Sequence, residues 1–180
     1  MTEPKIARGT TLGFVPVIFY NLHAAYWVFR GGWENSLWAC HVASLLIGAG
    51  MIFGTARLVL TGMLWLVIGN AFWILYLGTG GEFLPTSLLT HIGSFVIGLV
   101  GLNRFGVVPG TWWRAALGLI PLHLAARFTP PSENVNLAHR VDQGWASVFP
   151  AHSTYVLFVF ALCLGTFFVS ERLFRKIKKG

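Results

Sequence analysis

Apolar residues fall in six blocks along the chain, approximately 11–29, 36–54, 58–77, 84–103, 111–127 and 151–171. Each is near the roughly 17–25 residues that a helix needs to cross a bilayer. The links carry helix-ending residues: Arg30-Gly31-Gly32 after the first block, Gly78-Thr79-Gly80-Gly81 after the third, and Gly106-Val107-Val108-Pro109-Gly110 after the fourth. The pattern predicts an all-α polytopic membrane protein, a single domain over 1–180 built as a bundle of about six transmembrane helices. The fifth block is short and contains Pro121. The stretch 128–150 is the longest connection. It mixes Pro130-Pro131, Asn134, Asn136, His139, Arg140 and Asp142 with Val135, Leu137, Trp145, Val148 and Phe149. Such a segment is expected to lie on the membrane surface or to fold back over the bundle.

Composition narrows the solvent. Hydrophobic residues make up 55% of the chain and charged residues 11%, against about 25% charged in a soluble domain. A water-soluble fold of this make-up would expose apolar patches too large for water. The net charge of +7 does not indicate nucleic acid, because the basic residues stand singly between apolar blocks, except at the C-terminus. With six spans, Lys5, Arg8, Arg57, Arg104, Arg114 and the cluster Arg172, Arg175, Lys176, Lys178 and Lys179 share one side, and Arg30, Arg127 and Arg140 take the other. The positive-inside rule then predicts a cell-membrane protein with both termini cytoplasmic. Lys5 and Arg8 precede the first block with no small-residue cleavage site after it, so that block is expected to be a retained helix. Trp27, Trp33, Trp38, Trp73 and Trp145 fall near the outer boundary and Trp112 and Trp113 near the inner one, as interfacial belts do.

On this topology all six histidines lie in the outer half. His23, His41, His91 and Asn70 come to about the same depth at a rise of about 1.5 Å per residue. His123 is near the outer end of the fifth block, His152 begins the sixth and His139 is in the outer loop. Glu34, Glu82, Glu133 and Asp142 are also outside, and Glu3 and Glu171 inside. Ser87, His91, Ser94, Gly98 and Gly101 recur at helical spacing, as do His41, Ser44, Gly48 and Thr55. Such stripes let helices approach closely and turn His41 and His91 into the bundle. Pro16 is expected to kink the first helix below His23. Cys40 and Cys163 lie in different blocks at different depths, which predicts two free thiols.

A polar side chain inside a membrane points to function, although each histidine alone could simply bond a neighbouring helix. Three readings use the cluster. In the first it is catalytic: His91 is the general base, with His41 beside it, and Cys40, a hydroxyl or a water attacks a carbonyl. The partner is then a lipid or amphiphile, and the reaction hydrolysis or acyl transfer, in a polar cavity opening outward between helices two, four and five. In the second, His23, His41, His91 and His123 hold a metal ion or a haem, although HxxxH and HExxH motifs are absent. In the third, the chain is a channel, a carrier or a membrane subunit completed by partner subunits.

Three short motifs carry a resemblance: Trp38-Ala39-Cys40-His41 opening the second block, Pro85-Thr86-Ser87-Leu88-Leu89-Thr90-His91 opening the fourth, and Asn134-Val135-Asn136 in the outer loop. Their order over roughly 36–171 resembles the plan of the YwaF-like integral membrane proteins and the related transmembrane acyltransferases and AIG-type lipid hydrolases. This chain is shorter than that plan by a helix at its start. The resemblance implies a Cys or Thr nucleophile paired with a histidine, here Cys40 with His91.

Overall fold

A computed structural model describes residues 9–178; Glu3, Lys5, Arg8 and Lys179 lie outside the described residues. Among those described there are six helices and no strand: α1 (Thr11–Phe29, its first turn 3-10), α2 (Ala39–Ile52), α3 (Ala56–Gly78), α4 (Pro85–Phe105), α5 (Thr111–Ala126) and α6 (His152–Ile177). Four of them, α1, α3, α4 and α6, are long and apolar enough to cross a membrane.

The second block departs from expectation. Residues 36–38 do not join the helix: Trp33–Leu37 form a 3-10 turn and Trp38 is extended (φ −57, ψ 136), so α2 keeps 14 residues. At about 1.5 Å per residue that is about 21 Å, short of the roughly 30 Å hydrocarbon core. The late start leaves Cys40 and His41 in the first turn of α2, below a buried cap of Glu34, Asn35 and Ser36. Pro16 sits in the first turn of the α-helical part of α1, where the missing N–H had no intrahelical partner to lose.

Helices α2 and α3 form the centre, joined by the tight link at Phe53-Gly54-Thr55 with Gly54 at φ 66. The buried core of Ala43, Ile47, Met51, Val59, Leu60, Met63, Leu64 and Leu66 comes from these two helices. Contact is this close because of glycine. A Cβ on Gly62 would lie 2.7 Å from the Ala43 carbonyl oxygen. Ser87, His91, Ser94, Gly98 and Gly101 are all buried, as the stripe on α4 predicts; on α2 the stripe holds for His41, Ser44 and Gly48 but not for exposed Thr55. The Ser94 hydroxyl donates to Ser44 Oγ (2.8 Å), which donates to Thr90 O (3.3 Å). This chain ties α4 to α2 one turn from the histidines.

At the far end, the buried Glu171 carboxylate of α6 accepts from the N–H groups of Gly110 (2.9 Å) and Trp112 (2.8 Å). It therefore caps the N-terminus of α5, where negative charge is favoured. Lys178 Nζ donates to the carbonyls of Leu102 and Asn103 at the C-terminal end of α4 (3.1 and 3.0 Å).

The outward faces are apolar. On α1, Phe14, Ile18 and Leu22 are exposed at successive four-residue steps, and α6 exposes Leu157, Val169 and Leu173.

Two glycines separate close packing from intrinsic helix preference. Gly62→Ala meets main chain and should destabilise the fold by about 1–3 kcal/mol, as overpacking does. Gly165 faces open space, and Gly165→Ala should leave stability unchanged or raise it by up to about 1 kcal/mol. Thermal unfolding of the two variants in detergent reads the difference.

Candidate functional site

The first turn of α2 brings His41 against His23 of α1 on one side, with ring centroids 4.0 Å apart, and against His91 of α4 on the other, 5.3 Å apart and edge-on. All three rings are buried. The indole of Trp73, from α3, stacks on His91 at 4.7 Å with its plane 13° away.

His91 owes its position to a π-helical turn, Leu89–Gly93, inside α4. Such a turn inserts one residue into the α register, and just before it the Ser87 carbonyl accepts from His91 Nδ1 (2.9 Å) and from the Thr90 hydroxyl (3.0 Å).

A carbonyl oxygen only accepts, and the shortest contact of His91 Nδ1 is with the Ser87 carbonyl (2.9 Å), the Ser87 hydroxyl lying 3.2 Å away. On that contact His91 Nδ1 carries the proton. So does His41 Nδ1, which donates to Asn35 O at 3.0 Å. In both rings Nε2 keeps its lone pair. His91 Nε2 and Asn70 Oδ1 are the two buried side-chain polar atoms with no hydrogen-bond partner among the described residues. Cys40 completes the group: its thiol and one nitrogen each of His41 and His91 lie within 4.8 Å of one another. No hydrogen bond joins the thiol to either ring among the described residues. Gly69 of α3 makes this approach possible, since a Cβ there would sit 2.5 Å from Cys40 Cβ.

The remaining predicted site residues separate from this group. His23 uses both nitrogens, accepting from Trp27 Nε1 (3.0 Å) at Nε2 and donating from Nδ1 to Thr86 Oγ1 (3.0 Å). It buttresses His41 and offers no free donor. His123 donates from Nδ1 to Asn136 O (3.2 Å), and His139 and His152 donate to Ala126 O (3.0 Å) and Leu137 O (2.9 Å). Of the four histidines expected as a ligand set, His41 and His91 converge with Cys40, His23 packs against His41, and His123 bonds the loop 128–150. Both cysteines are free.

The loop 128–150 does fold back over the bundle. Val135 and Ala138 are buried with Ala126 against Leu37 and Trp38. Asn136 clamps the start of α2: its Oδ1 accepts from Ala39 N (2.8 Å) and its Nδ2 donates to Leu37 O (2.9 Å). Asn134, Asn136 and Leu137 all adopt positive φ, of 48, 50 and 58.

A cavity of about 1100 Å³ opens from this group. It is more apolar than the polar cavity expected. Its walls are Trp65, Ile68 and Phe72 of α3, Leu119 and Leu122 of α5, and Val156, Val159 and Phe160 of α6; Glu82, Glu133 and Asp142 from the connecting segments join its lining. Trp27 and Trp73, expected in an interfacial belt, also take part in the site: Trp27 donates to His23 and Trp73 stacks on His91. The signal available for Trp73 was its spacing, one turn from Gly69 and Asn70 at the depth of the histidines.

Set beside known protein families, curated proteins and solved structures, the chain matches none.

The clamp is testable. Asn136→Ala removes two hydrogen bonds and leaves a Cβ at φ 50, whereas Asn136→Gly removes the same bonds and keeps the backbone at ease. Both should speed protease cleavage within 128–150 by about tenfold, the equivalent of about 1.4 kcal/mol, with Ala the faster. A wild-type rate in the Gly variant would assign the effect to backbone strain alone.

Proposed function

We propose that this is an integral cell-membrane protein, with both termini cytoplasmic, that hydrolyses or transfers the acyl group of a lipid or similar amphiphile at a site beneath the outer surface. The observation that carries it is the joining of two features in one place. Cys40, His41 and His91 converge, and a largely apolar cavity of about 1100 Å³ leads away from them between helices. That volume is at the top of the roughly 300–1,000 Å³ usual for small-molecule sites, and its lining suits hydrocarbon.

Support for the membrane comes from the outward faces. Stripes of exposed Phe, Ile, Leu and Val on α1, α4 and α6 are too extensive for water. The four long helices match a bilayer in length. The shorter α2 and α5 complete six spans when the Trp33–Leu37 turn and the outer loop are counted into the membrane thickness. Arg57, Arg104, Arg114 and the basic end of α6 then lie inside, and Arg30, Arg127 and Arg140 outside.

In this reading the alkyl chain lies among Phe72, Leu122, Val159 and Phe160, and the ester or amide carbonyl reaches the His91 end. The unprotonated Nε2 atoms and the Cys40 thiol are the groups able to activate an attacking oxygen or sulfur there. The order of Cys40, His91 and Asn136 is also the order on which the resemblance to transmembrane acyltransferases and lipid hydrolases rests.

Orientation is checked by labelling intact cells with a membrane-impermeant maleimide. Ser132→Cys should react from outside, and Lys178→Cys only after permeabilisation; the reverse pattern overturns the topology. Activity is checked with p-nitrophenyl esters of graded chain length, presented to protein in lipid nanodiscs. Long-chain esters should be preferred, His91→Ala should lower kcat/KM by about 10²-fold or more, and Val159→Trp should shift the preference to shorter chains. No cleavage above buffer for any ester would overturn the reading.

A further inference from the structure

We propose that Cys40, His41 and His91 bind a divalent transition-metal ion of the zinc type, leaving one coordination position open toward the apolar cavity. This deepens the hydrolase reading, since it names what activates the attacking group, but the ion's binding is measurable without any activity.

The donor set argues for it first. One thiol and two imidazoles are the borderline-soft ligands that zinc and its neighbours prefer. Three protein ligands with an open fourth position is the pattern of catalytic rather than structural zinc. Their arrangement argues further. Each imidazole is pinned through Nδ1 to a main-chain carbonyl, Asn35 O for His41 and Ser87 O for His91. That outer hydrogen bond is the one that orients a ligating histidine and raises the basicity of its Nε2. The third observation is energetic. His91 is 1% exposed and its Nε2 lacks a hydrogen-bond partner among the described residues. A buried acceptor left so costs about 1–3 kcal/mol, and a cation shared with His41 and Cys40 removes the penalty.

Distances distinguish the ion from the alternatives. Bonds of about 2.0–2.1 Å to each Nε2 at a tetrahedral angle put two imidazole centroids about 5.1 Å apart. Trans ligands on a haem iron would put them about 6.3 Å apart, with room for the macrocycle between. The His41 and His91 centroids are 5.3 Å apart, and Trp73 lies against His91 at 4.7 Å, so haem does not fit. A thiol–imidazole dyad would show a hydrogen bond from Cys40 to one ring, and none is present among the described residues. Donors within 4.8 Å need only contract to the roughly 3.3–3.6 Å edges of a zinc tetrahedron. A turn of the Cys40 side-chain torsion and a small shift of the two imidazoles about their Nδ1 bonds supply that contraction.

The chemistry then balances. The ion acidifies a bound water, whose hydroxide adds to the substrate carbonyl carbon. The carbon–oxygen bond to the leaving alcohol breaks, one proton of the water goes to that alkoxide, and the other leaves as the product acid ionises.

The test uses the full-length protein in nanodiscs, stripped with a chelator and titrated with Co²⁺ and then Zn²⁺. The expected result is one equivalent of Co²⁺ with a thiolate-to-metal charge-transfer band, displaced by one equivalent of Zn²⁺. Cys40→Ser should abolish that band and weaken binding about tenfold, and His91→Ala or His41→Ala should weaken it by about 100-fold or more. Cys163→Ala should change neither, although Cys163 lines the same cavity. Wild-type protein that takes up no stoichiometric Co²⁺ or Zn²⁺, or a Cys40→Ser variant that binds like wild type, overturns the metal site. Ester cleavage that survives chelation would also overturn it while leaving the hydrolase reading standing. Stoichiometric metal with no ester cleavage would do the opposite.

Discussion

The hydrogen bonds from His41 Nδ1 to Asn35 O and from His91 Nδ1 to Ser87 O decide which nitrogen of each ring keeps a lone pair. His41 Nδ1 meets a main-chain carbonyl alone, so reversing its tautomer loses a bond in a buried place, at about 1–3 kcal/mol; His91 Nδ1 has the Ser87 hydroxyl beside its carbonyl partner. With the proton on Nδ1, each ring keeps its lone pair on Nε2. Surrounding features can be understood as means of keeping those two carbonyls in place. The 3-10 turn at Trp33–Leu37 holds Asn35, whose side chain in turn accepts from Trp38 Nε1 (3.2 Å) and donates to Glu133 (2.9 Å). The π turn in α4 places His91 one turn after the Ser87 carbonyl that it meets.

Rigidity below the site follows from small residues. Where Gly62 meets Ala43 and Gly98 meets Met63, a larger side chain would push the helices apart and carry His41 away from His91. The Ser94–Ser44–Thr90 hydrogen-bond chain adds direction to that closeness, since hydroxyls in an apolar interior have few other partners. Above the site, the loop is held by a different chemistry. Three histidines donate to main-chain carbonyls, and Asn136 bonds both sides of the junction where α2 begins. The same residue type therefore serves two ends: imidazole as a staple where one nitrogen is committed and the ring is half-exposed, and imidazole as an available base or ligand where the ring is buried.

Legibility followed the range of the interaction. Helix identity was readable because apolar block length is local. The common depth of His23, His41 and His91 was readable because rise per residue is fixed. The inward turn of His91 came from the serine and glycine stripe. What was hidden depended on contacts far apart in sequence. Asn136 reaches Leu37 across 99 positions, and it is this clamp, with the buried Glu34-Asn35-Ser36 cap, that shortens α2. The π turn has no signature in Leu89-Thr90-His91-Ile92-Gly93, because it depends on where α4 must meet α1 and α2. Likewise, whether a histidine acts as staple or donor is set by which carbonyl it meets, so His123 and His91 could not be told apart from depth alone.

The mixture of a wet rim and a dry wall bears on the chemistry we propose. A carbonyl substrate with a long chain gains by leaving its hydrocarbon among Phe72, Val159 and Phe160, while hydrolysis needs water at the other end. Glu82, Glu133 and Asp142 line the same cavity as His41 and His91, which gives water a polar route to the carbonyl without wetting the chain. In the dry part an imidazole lone pair or a bound cation acts through a low dielectric, so its pull on a developing oxyanion is stronger than in water. Moving the group deeper would strengthen that pull and starve it of water; moving it to the surface would do the reverse. The first turn of a helix that begins late, under a folded loop, is a position that meets both demands.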